Sequence, residues 1–274
     1  MKTPRFSVII PALNEEKFLP KLLNSLAAQT MRDFEVIVVD GKSTDKTVAV
    51  AKSFVKDLPF LKVIVSPRAN LPLQRNVGVK EARGEWLVFV DADSVLLPHL
   101  LKRVHFFIQT QKPKLFTTWF RPDSEESGDA LTILLGNMII EGALLLKRPV
   151  APGPLTIVRS DTFALVGGYD EARQWGEDYD LTKRIYRKGV PLAMLRETLY
   201  IYSLRRLRNQ GTLKVVQMFS RAAFSVLLTN QAPRYIAGYD MGGHPYEKKQ
   251  KSVKRSVVKQ FEKQLKKLMK EFFE

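Results

Sequence analysis

The stretch FSVIIPALNEE at residues 6–16 decides the fold, because it joins a strand to a helix through a short polar loop. Its first five residues form an apolar run of strand length that stops at Pro11. Apolar residues then recur at helical spacing through residues 15–29, at Phe18, Leu19, Leu22, Leu23 and Leu26. The stretch therefore predicts a buried strand followed by an amphipathic helix.

The same alternation continues through the first hundred residues. Further strands are predicted at residues 34–39, 61–65 and 85–90, and further helices at residues 46–55 and 74–82. The crossovers are long enough for parallel pairing, so the sequence predicts an α/β fold with a Rossmann-like, doubly wound sheet. Ligands of such sheets bind at the carboxyl ends of the strands. Polar residues gather at those ends, in residues 11–15, 40–45 and 91–93.

Composition narrows the function classes. The chain has 274 residues, 45% of them apolar, which excludes global disorder. It has no cysteine, which excludes disulfides, thiol nucleophiles and Cys-ligated metals. Its formal net charge of +16 could attract nucleic acid, an anionic membrane or a phosphate-bearing substrate, and net charge alone does not choose among them.

Part of that charge lies in residues 247–274, which hold ten Lys/Arg and four Glu. Apolar residues recur there in steps of three or four, so we expect a separate basic amphipathic helix. It could contact a membrane surface, a partner or its own domain. Its aromatic residues share the apolar side, whereas binding to single-stranded nucleic acid would need them exposed among the basic residues. We therefore expect no nucleic acid partner.

Two apolar segments bear on localisation. The apolar run at the N-terminus is too short and too soon interrupted for a signal peptide, so we expect a cytoplasmic protein, with peripheral contact at the inner face of the membrane if the tail docks there. Residues 131–146 form a longer run that contains Asn137 and Glu141. This run is shorter than the roughly 20 residues of a membrane span. It predicts either a core helix or an apolar lip for a lipid-linked acceptor.

Phosphate-binding glycine loops are missing. Gly41-Lys42-Ser43 resembles the end of a P-loop, but Val36 stands where that loop needs a glycine. The strand ends offer carboxylates instead. Asp91 and Asp93 stand two apart after a strand, so both can face a hard cation shared with a diphosphate. The alternative is that an aspartate there merely caps the next helix.

Four blocks of sequence carry a family resemblance: SVIIPALNEE (7–16), VIVVDGKSTDKT (36–47), QRNVGVKEARGEWLVFVDADS (74–94) and GGYDEARQWGEDYDLTKRIYRKG (167–189). In this order and spacing they resemble the family 2 glycosyltransferases of GT-A fold. The resemblance implies transfer of a hexose from a nucleotide sugar, with inversion and with Mn²⁺ or Mg²⁺ as cofactor. No Gln-x-x-Arg-Trp motif is present, so we expect one sugar per encounter.

The resemblance also implies roles for single residues. Pro11, Asn14 and Glu15 match the nucleoside-side loop, Asp40 the nucleobase acceptor, Arg75 a basic donor contact, Asp91 and Asp93 the ribose and metal pair, and Asp178 the catalytic base. The family often has a second aspartate after the second strand, where this chain has Gly41. That departure leaves the nucleobase open, with a UDP-sugar favoured and a GDP-sugar as the alternative.

Inversion needs a carboxylate that takes the acceptor's proton and a cation at the leaving diphosphate. The cluster at residues 177–180 suits the first task, although acidic residues also favour helix N-termini, which is our reading of Asp180. Arg205 and Arg206 could clamp a phosphate or be solvated surface arginines. His244 could be a third metal ligand or an exposed loop histidine.

We therefore expect a GT-A domain at residues 1–210, with a donor-binding half at 1–95 and an acceptor and catalytic half at 115–210. A helical and loop extension is expected at 211–246, followed by the tail at 247–274. The expected function is metal-dependent transfer of one sugar to a hydroxyl or phosphate acceptor. The alternative is a nucleotide-sugar-binding protein without transfer activity.

Overall fold

The structure, a computed structural model, describes residues 3–58, 60–210, 225–226, 229 and 231–236. Its strands are β1 (Phe6–Ala12), β2 (Phe34–Asp40), β3 (Leu61–Val65), β4 (Trp86–Val90), β5 (Val95–Leu96), β6 (Leu115–Pro122), β7 (Leu155–Arg159) and β8 (Leu192–Tyr202). Its helices are α1 (Leu19–Ala27), α2 (Thr47–Ser53), α3 (Leu71–Glu81), α4 (Leu100–Gln111), α5 (Ser127–Leu145), α6 (Ser160–Leu165), α7 (Glu177–Arg187) and α8 (Arg205–Gln210).

These strands form one mixed sheet in the order β3-β2-β1-β4-β7-β6-β8-β5. Strands β1 to β4 run parallel, as predicted, and Ala12 at the end of β1 lies beside Asp40 at the end of β2. Strand β7 is antiparallel to β4 and β6, whereas β6 and β8 are parallel to each other. The carboxyl ends of β1, β2 and β4 therefore meet at one edge of the sheet.

Alternate residues of β1 point into two hydrophobic cores. Val8 and Ile10 join the core that contains α1 and α4, whereas Ile9 joins the core that contains α6 and α7. Strands covered on both faces read as continuous apolar runs, which is why β1, β2 and β4 were visible in the sequence. Helices on both faces confirm the doubly wound arrangement.

The first helix begins later than the sequence predicted, at Leu19 instead of residue 15. The residues before it are held by the segment that follows β2. The backbone N–H of Glu15 donates to Oγ1 of Thr47 at the start of α2 (2.7 Å), and that of Asn14 donates to Oγ of Ser43 (2.8 Å). Because these N–H groups are bound by side chains of that segment, residues 13–16 remain a loop between β1 and α1.

Helix α5 confirms that residues 131–146 are largely helical. One face packs on β6, where the Asn137 amide donates to the carbonyl of Phe120 (3.0 Å) and Glu141 accepts from Nε1 of Trp119 (3.1 Å). The other face is 47–85% exposed and apolar, at Leu134, Leu135, Met138, Ile139, Leu145 and the next residue, Leu146. The outer face therefore does not fit the alternative of a core helix.

Within the described part of the chain, α5 is also the one helix whose length and composition would allow it to cross a membrane. Its window Gly128–Leu145 has a mean hydropathy of 1.4, and 17% of that window is buried. The apolar run at residues 131–146 was too short for a membrane span. The helix is long enough because it begins four residues earlier, at Ser127. The predicted extension at 211–246 is described only in small parts, and the predicted tail at 247–274 lies outside the described residues.

Candidate active site

The strand ends bring the first predicted residues together. Asp40 is 1% exposed, and its Oδ2 accepts a hydrogen bond from the backbone of Ser43 (3.0 Å). Its Oδ1 is buried and has no hydrogen-bond partner among the described residues. Asn14 lies at the same edge, and its Oδ1 accepts a hydrogen bond from the backbone N–H of Thr44 (2.8 Å). An unpartnered buried carboxylate oxygen is costly, so the Asp40 Oδ1 is well suited to an N–H donor from a ligand.

Arg75 lies at the centre of the site, with only 1% of its side chain exposed. Its Nη1 contacts Oδ1 of Asp178 (2.8 Å) and Oε1 of Glu177 (3.1 Å), and its Nη2 contacts Oδ1 of Asp91 (3.1 Å). The guanidinium also stacks on Tyr169, 5.1 Å from the ring centroid. The geometry thus surrounds Arg75 with carboxylates, and its contact with the donor stays a prediction.

Helix α3 places Arg75 there. Asn70 caps the helix by accepting from the backbone of Leu73 (2.8 Å), and Pro72 occupies the first turn. The neighbouring Gln74 donates to the carbonyls of Ala12 (3.0 Å) and Val39 (2.8 Å). These bonds tie α3 to the ends of β1 and β2, so the Arg75 guanidinium is fixed relative to the strand ends.

Asp178 lies in the first turn of α7, which begins after Gly176 in the left-handed conformation. Burial raises the pKa of Asp178 well above its usual range, the Glu177 carboxylate raises it further, and the Arg75 guanidinium opposes both. A Cβ at Gly153 would lie 2.4 Å from Oδ2 of Asp178. The absence of a side chain at Gly153 therefore leaves the space that the Asp178 carboxylate fills.

Arg205 lies beside Glu15 and Asp93 at the same carboxyl edge of the sheet. Its guanidinium binds Glu15 bidentately (2.7 and 2.6 Å), and its Nε contacts Oδ2 of Asp93 (2.7 Å). It also stacks on Phe18, 4.4 Å from the ring centroid. Burial raises the pKa of Glu15, an effect that the Arg205 hydrogen bond opposes. Arg205 thus reaches the expected edge, held there by Glu15 and Asp93.

The carboxylates of Asp91 and Asp93 can be tested for a divalent cation. Burial raises the pKa of Asp93 to about 7, with Arg205 lowering it and the carboxylates of Asp91 and Glu15 raising it. Each aspartate has a second carboxylate oxygen besides the one bound to arginine. Such a donor set fits Mg²⁺ or Mn²⁺, which proteins hold with one or two carboxylates plus substrate phosphates.

The described residues contain no group of three His, Asp or Glu side chains arranged to hold a metal ion. Within that part of the chain, a cation would be held by Asp91 and Asp93 together with oxygens of a substrate and of water. His244, the predicted third ligand, lies outside the described residues. Pro11 is buried within β1, and Arg206 follows Arg205 in α8 with its side chain half-buried.

Three residues that the sequence analysis did not single out complete the site. Glu177 shares the Arg75 guanidinium, Gly153 makes room for Asp178 and accepts from Nη2 of Arg75 (3.2 Å), and Tyr169 lies under the guanidinium. Glu177 could have been found, since it stands beside Asp178 in the acidic cluster. The other two depend on close approaches that the sequence does not display.

Comparison with known proteins identifies the family of the chain. The family model described as "Glycosyl transferase family 2" matches residues 7–162, which is more than half of the chain. The chain therefore belongs to glycosyl transferase family 2.

Two curated relatives that match this chain are less than 30% identical to it. An uncharacterized glycosyltransferase of Haemophilus influenzae is 27% identical over 186 residues, covering 66% of this chain and 62% of the relative. The poly(ribitol-phosphate) beta-N-acetylglucosaminyltransferase TarS of Staphylococcus aureus is 28% identical over 214 residues, covering 74% of this chain and 36% of TarS. The chain thus spans less than two thirds of each of these relatives.

The solved structures confirm the GT-A fold. TarS residues 1–349 in complex with UDP superposes with a TM-score of 0.62 at 25% identity, covering 73% of this chain and 60% of that one. The same TarS fragment in complex with UDP-GlcNAc gives the same TM-score and identity.

Proposed function

We propose that this protein is an inverting glycosyltransferase that moves one sugar from a nucleotide-diphosphate sugar to a hydroxyl or phosphate acceptor. The observation that carries the proposal is the convergence of Asp178 and Asp91 on the single guanidinium of Arg75 at the carboxyl edge of the sheet. Asp178 lies in the first turn of a helix, and Asp91 follows a strand. The site can thus hold a base, Asp178, on one side of a donor and a ligand of the donor, Asp91, on the other.

Asp178 is the proposed base. It takes the proton of an acceptor hydroxyl while the acceptor oxygen bonds to the anomeric carbon from one face. The bond from that carbon to the diphosphate breaks on the opposite face, and the nucleoside diphosphate leaves with the electron pair. Burial, which raises the pKa of Asp178, makes its carboxylate a stronger base than an exposed aspartate. Arg75 holds that carboxylate in place through the Oδ1 contact.

The donor is proposed to lie along the strand ends. Asp40 offers its buried Oδ1 to an N–H of the nucleobase, and Asp91 lies towards the ribose. The end of β1 at Pro11 and the loop that holds Asn14 and Glu15 border the nucleoside. Asp91 and Asp93 would hold Mg²⁺ or Mn²⁺, which when bound offsets the charge of the leaving diphosphate. Arg205 and Arg206 stand on the same side as further positive charges.

A UDP-sugar is the favoured donor. TarS, whose structures contain UDP and UDP-GlcNAc, supports this choice because it matches the chain both in sequence and in fold. A GDP-sugar is the alternative, since Gly41 stands where the family often has a second aspartate.

The acceptor is proposed to be lipid-linked. The exposed apolar face of α5 supports this proposal, since monomeric soluble proteins rarely leave so many large apolar side chains together in water. The basic composition of residues 247–274 supports contact with the anionic inner face of the membrane. Both features would bring the catalytic edge close to an amphiphilic acceptor.

A donor screen tests the proposal. UDP- and GDP-sugars are added with Mn²⁺, with Mg²⁺ or with EDTA, and both the melting temperature and the released nucleoside diphosphate are measured. We expect stabilisation by a UDP-sugar that depends on the cation, because a ligand stabilises by the logarithm of its excess over Kd. We also expect slow donor hydrolysis. Cation-dependent stabilisation without any hydrolysis or transfer would favour a binding protein that lacks transfer activity.

A further inference from the structure

Residues 231–236 pack against the loop that precedes α7. The backbone N–H groups of Gln174 and Trp175 both donate to the carbonyl oxygen of Arg234, each at 3.0 Å. Nη1 of Arg173 donates to the carbonyl oxygen of Ala232 at 3.3 Å. The oxygens that accept all three bonds belong to the backbone of segment 231–236. The bonds therefore depend on the path of that segment and not on its side chains.

The contact is tightest at Gly176. Its φ is +71°, and a Cβ placed there would lie 2.7 Å from Cβ of Ala232 and 3.1 Å from the carbonyl oxygen of Pro233. Ala232 is 6% exposed. Gly176 is also the N-cap residue of α7, and its carbonyl oxygen accepts from the backbone of Asp180 (3.1 Å). The same glycine thus touches segment 231–236 and caps the helix that carries Asp178.

A second connection reaches the first turn of α7 through a side chain. Arg173, which donates to Ala232, also pairs through Nη2 with Oδ1 of Asp180 (3.3 Å). Only 11% of the Arg173 side chain is exposed. Segment 231–236 is therefore connected to the start of α7 both through the backbone at Gly176 and through this guanidinium.

We propose that residues 231–236 are a positioning element for the base of the transfer reaction. The segment fixes the loop at residues 173–176, which fixes where α7 begins and hence where the Asp178 carboxylate points. The inference rests on the proposed function, because it takes Asp178 as the base. It makes turnover depend on a part of the chain that lies beyond the family-matched residues 7–162.

The donor site should be less sensitive to this segment than Asp178 is. The strand ends that form it are tied to α3 by Gln74, and none of those hydrogen bonds involves residues 231–236. The link from α7 to the donor side is the guanidinium of Arg75, which contacts both Asp178 and Asp91. A displacement of about 1 Å in a reacting group can lower the rate by about 100-fold. Loosening the segment should therefore lower kcat by a larger factor than it changes the KM for the donor.

Gly176→Ala in the full-length chain tests the proposal, because the new methyl group meets Ala232. Gly189→Ala is the matched control, since Gly189 is also left-handed (φ +80°) but has nothing within 4 Å of an added Cβ. Both variants carry the same backbone penalty, and only one carries the collision. The double variant Gly176→Ala/Ala232→Gly removes the 2.7 Å contact between the two Cβ atoms and leaves the 3.1 Å contact with the carbonyl oxygen of Pro233, so it relieves most of the collision. Ala232→Val adds bulk on segment 231–236 instead of at Gly176, and it tests the same contact if Gly176→Ala does not fold.

We expect Gly176→Ala and Ala232→Val to lower kcat by about 10- to 100-fold, with a smaller change in the donor KM. Gly189→Ala should keep the wild-type kcat, and the double variant should regain about tenfold. Hydrogen exchange gives an independent readout. The amides of Gln174 and Trp175 should lose protection in Gly176→Ala, keep it in Gly189→Ala and regain it in the double variant.

The proposal is overturned if Gly176→Ala and Gly189→Ala behave alike in both measurements, if the double variant recovers nothing, or if donor KM changes as much as kcat. Failure of the proposed function looks different. In that case the wild-type protein transfers and hydrolyses no nucleotide sugar, and the exchange of the Gln174 and Trp175 amides still decides whether the segment holds the loop.

Discussion

Nη1 of Arg75 lies 2.8 Å from Oδ1 of Asp178, and the arginine side chain that makes this contact is only 1% exposed. The same guanidinium reaches Asp91 through Nη2 at 3.1 Å. One buried cation therefore holds a carboxylate from the helix side and a carboxylate from the strand side. Any change of charge at Arg75 should therefore alter the electrostatic environment of both carboxylates.

Replacing Asp178 with Asn should lower transfer by about 10²- to 10⁴-fold, because the amide cannot take the acceptor proton. Donor-induced thermal stabilisation should persist. The melting temperature should not fall, because a raised carboxyl pKa means that the folded state disfavours the ionised form. Asp161→Asn, at a 60% exposed carboxylate on α6, is the control. Near-normal turnover of Asp178→Asn would remove Asp178 from the role of base.

The pH profile of kcat/KM should carry the signature of Asp178. The base works when ionised, so the rate should fall as the pH falls through its pKa. Since burial raises that pKa above the ordinary 3.8, the acid limb should lie at higher pH than an ordinary aspartate would give. Arg75 opposes the rise, so Arg75→Met should move the limb to still higher pH. A limb in the ordinary aspartate range would contradict the assignment.

Arg205→Met should destabilise the protein by about 3 kcal/mol, because it leaves the Glu15 carboxylate, 5% exposed, without its partner. The double variant Arg205→Met/Glu15→Gln should recover part of that loss, because Asp93 still lacks its contact with the guanidinium. Arg208→Met is the control, since Arg208 is 45% exposed in its pair with Asp123 and should contribute about 1 kcal/mol or less. Urea unfolding measures all three variants, and equal losses for Arg205→Met and Arg208→Met would rule out a special role for the buried pair.

Sedimentation with anionic vesicles tests the proposed membrane contact. The full chain should bind more strongly than a chain that ends at Pro245, and the difference should shrink at high salt. The double variant Leu135→Gln/Ile139→Gln should lose binding at all salt concentrations, because it removes exposed apolar surface from α5. Phe106→Gln, at a 53% exposed phenylalanine on α4, is the control. Equal binding by all four proteins would show that neither feature contacts lipid.

The parallel half of the sheet could be predicted from the sequence, because strands such as Phe34–Asp40 are buried on both faces and read as unbroken apolar runs. Strands β5, β7 and β8 were not predicted. Strand β5 has only two residues, and β8 mixes buried with exposed positions where its register with β6 shifts near Trp119. A shifted register breaks the alternation on which prediction of a strand depends.

The acidic members of the site were predictable because they follow strands or begin a helix. Their pairing with Arg75 could not be predicted. The pair with Asp178 joins residues 103 positions apart, and a sequence does not show which of its carboxylates will converge. The space at Gly153 was equally invisible, because a glycine that makes room for a carboxylate looks like any glycine in a turn.

The pair between Glu15 and Arg205 spans 190 residues, which has a consequence for the order of events during translation. The loop that contains Glu15 leaves the ribosome early, whereas Arg205 follows only after α7 and β8 have been made. Strands β1 to β4 can pair in the meantime, but the Glu15 carboxylate stays hydrated until its partner emerges. A nascent chain therefore assembles half of its sheet well before it can close the side of the site that Glu15 and Arg205 form.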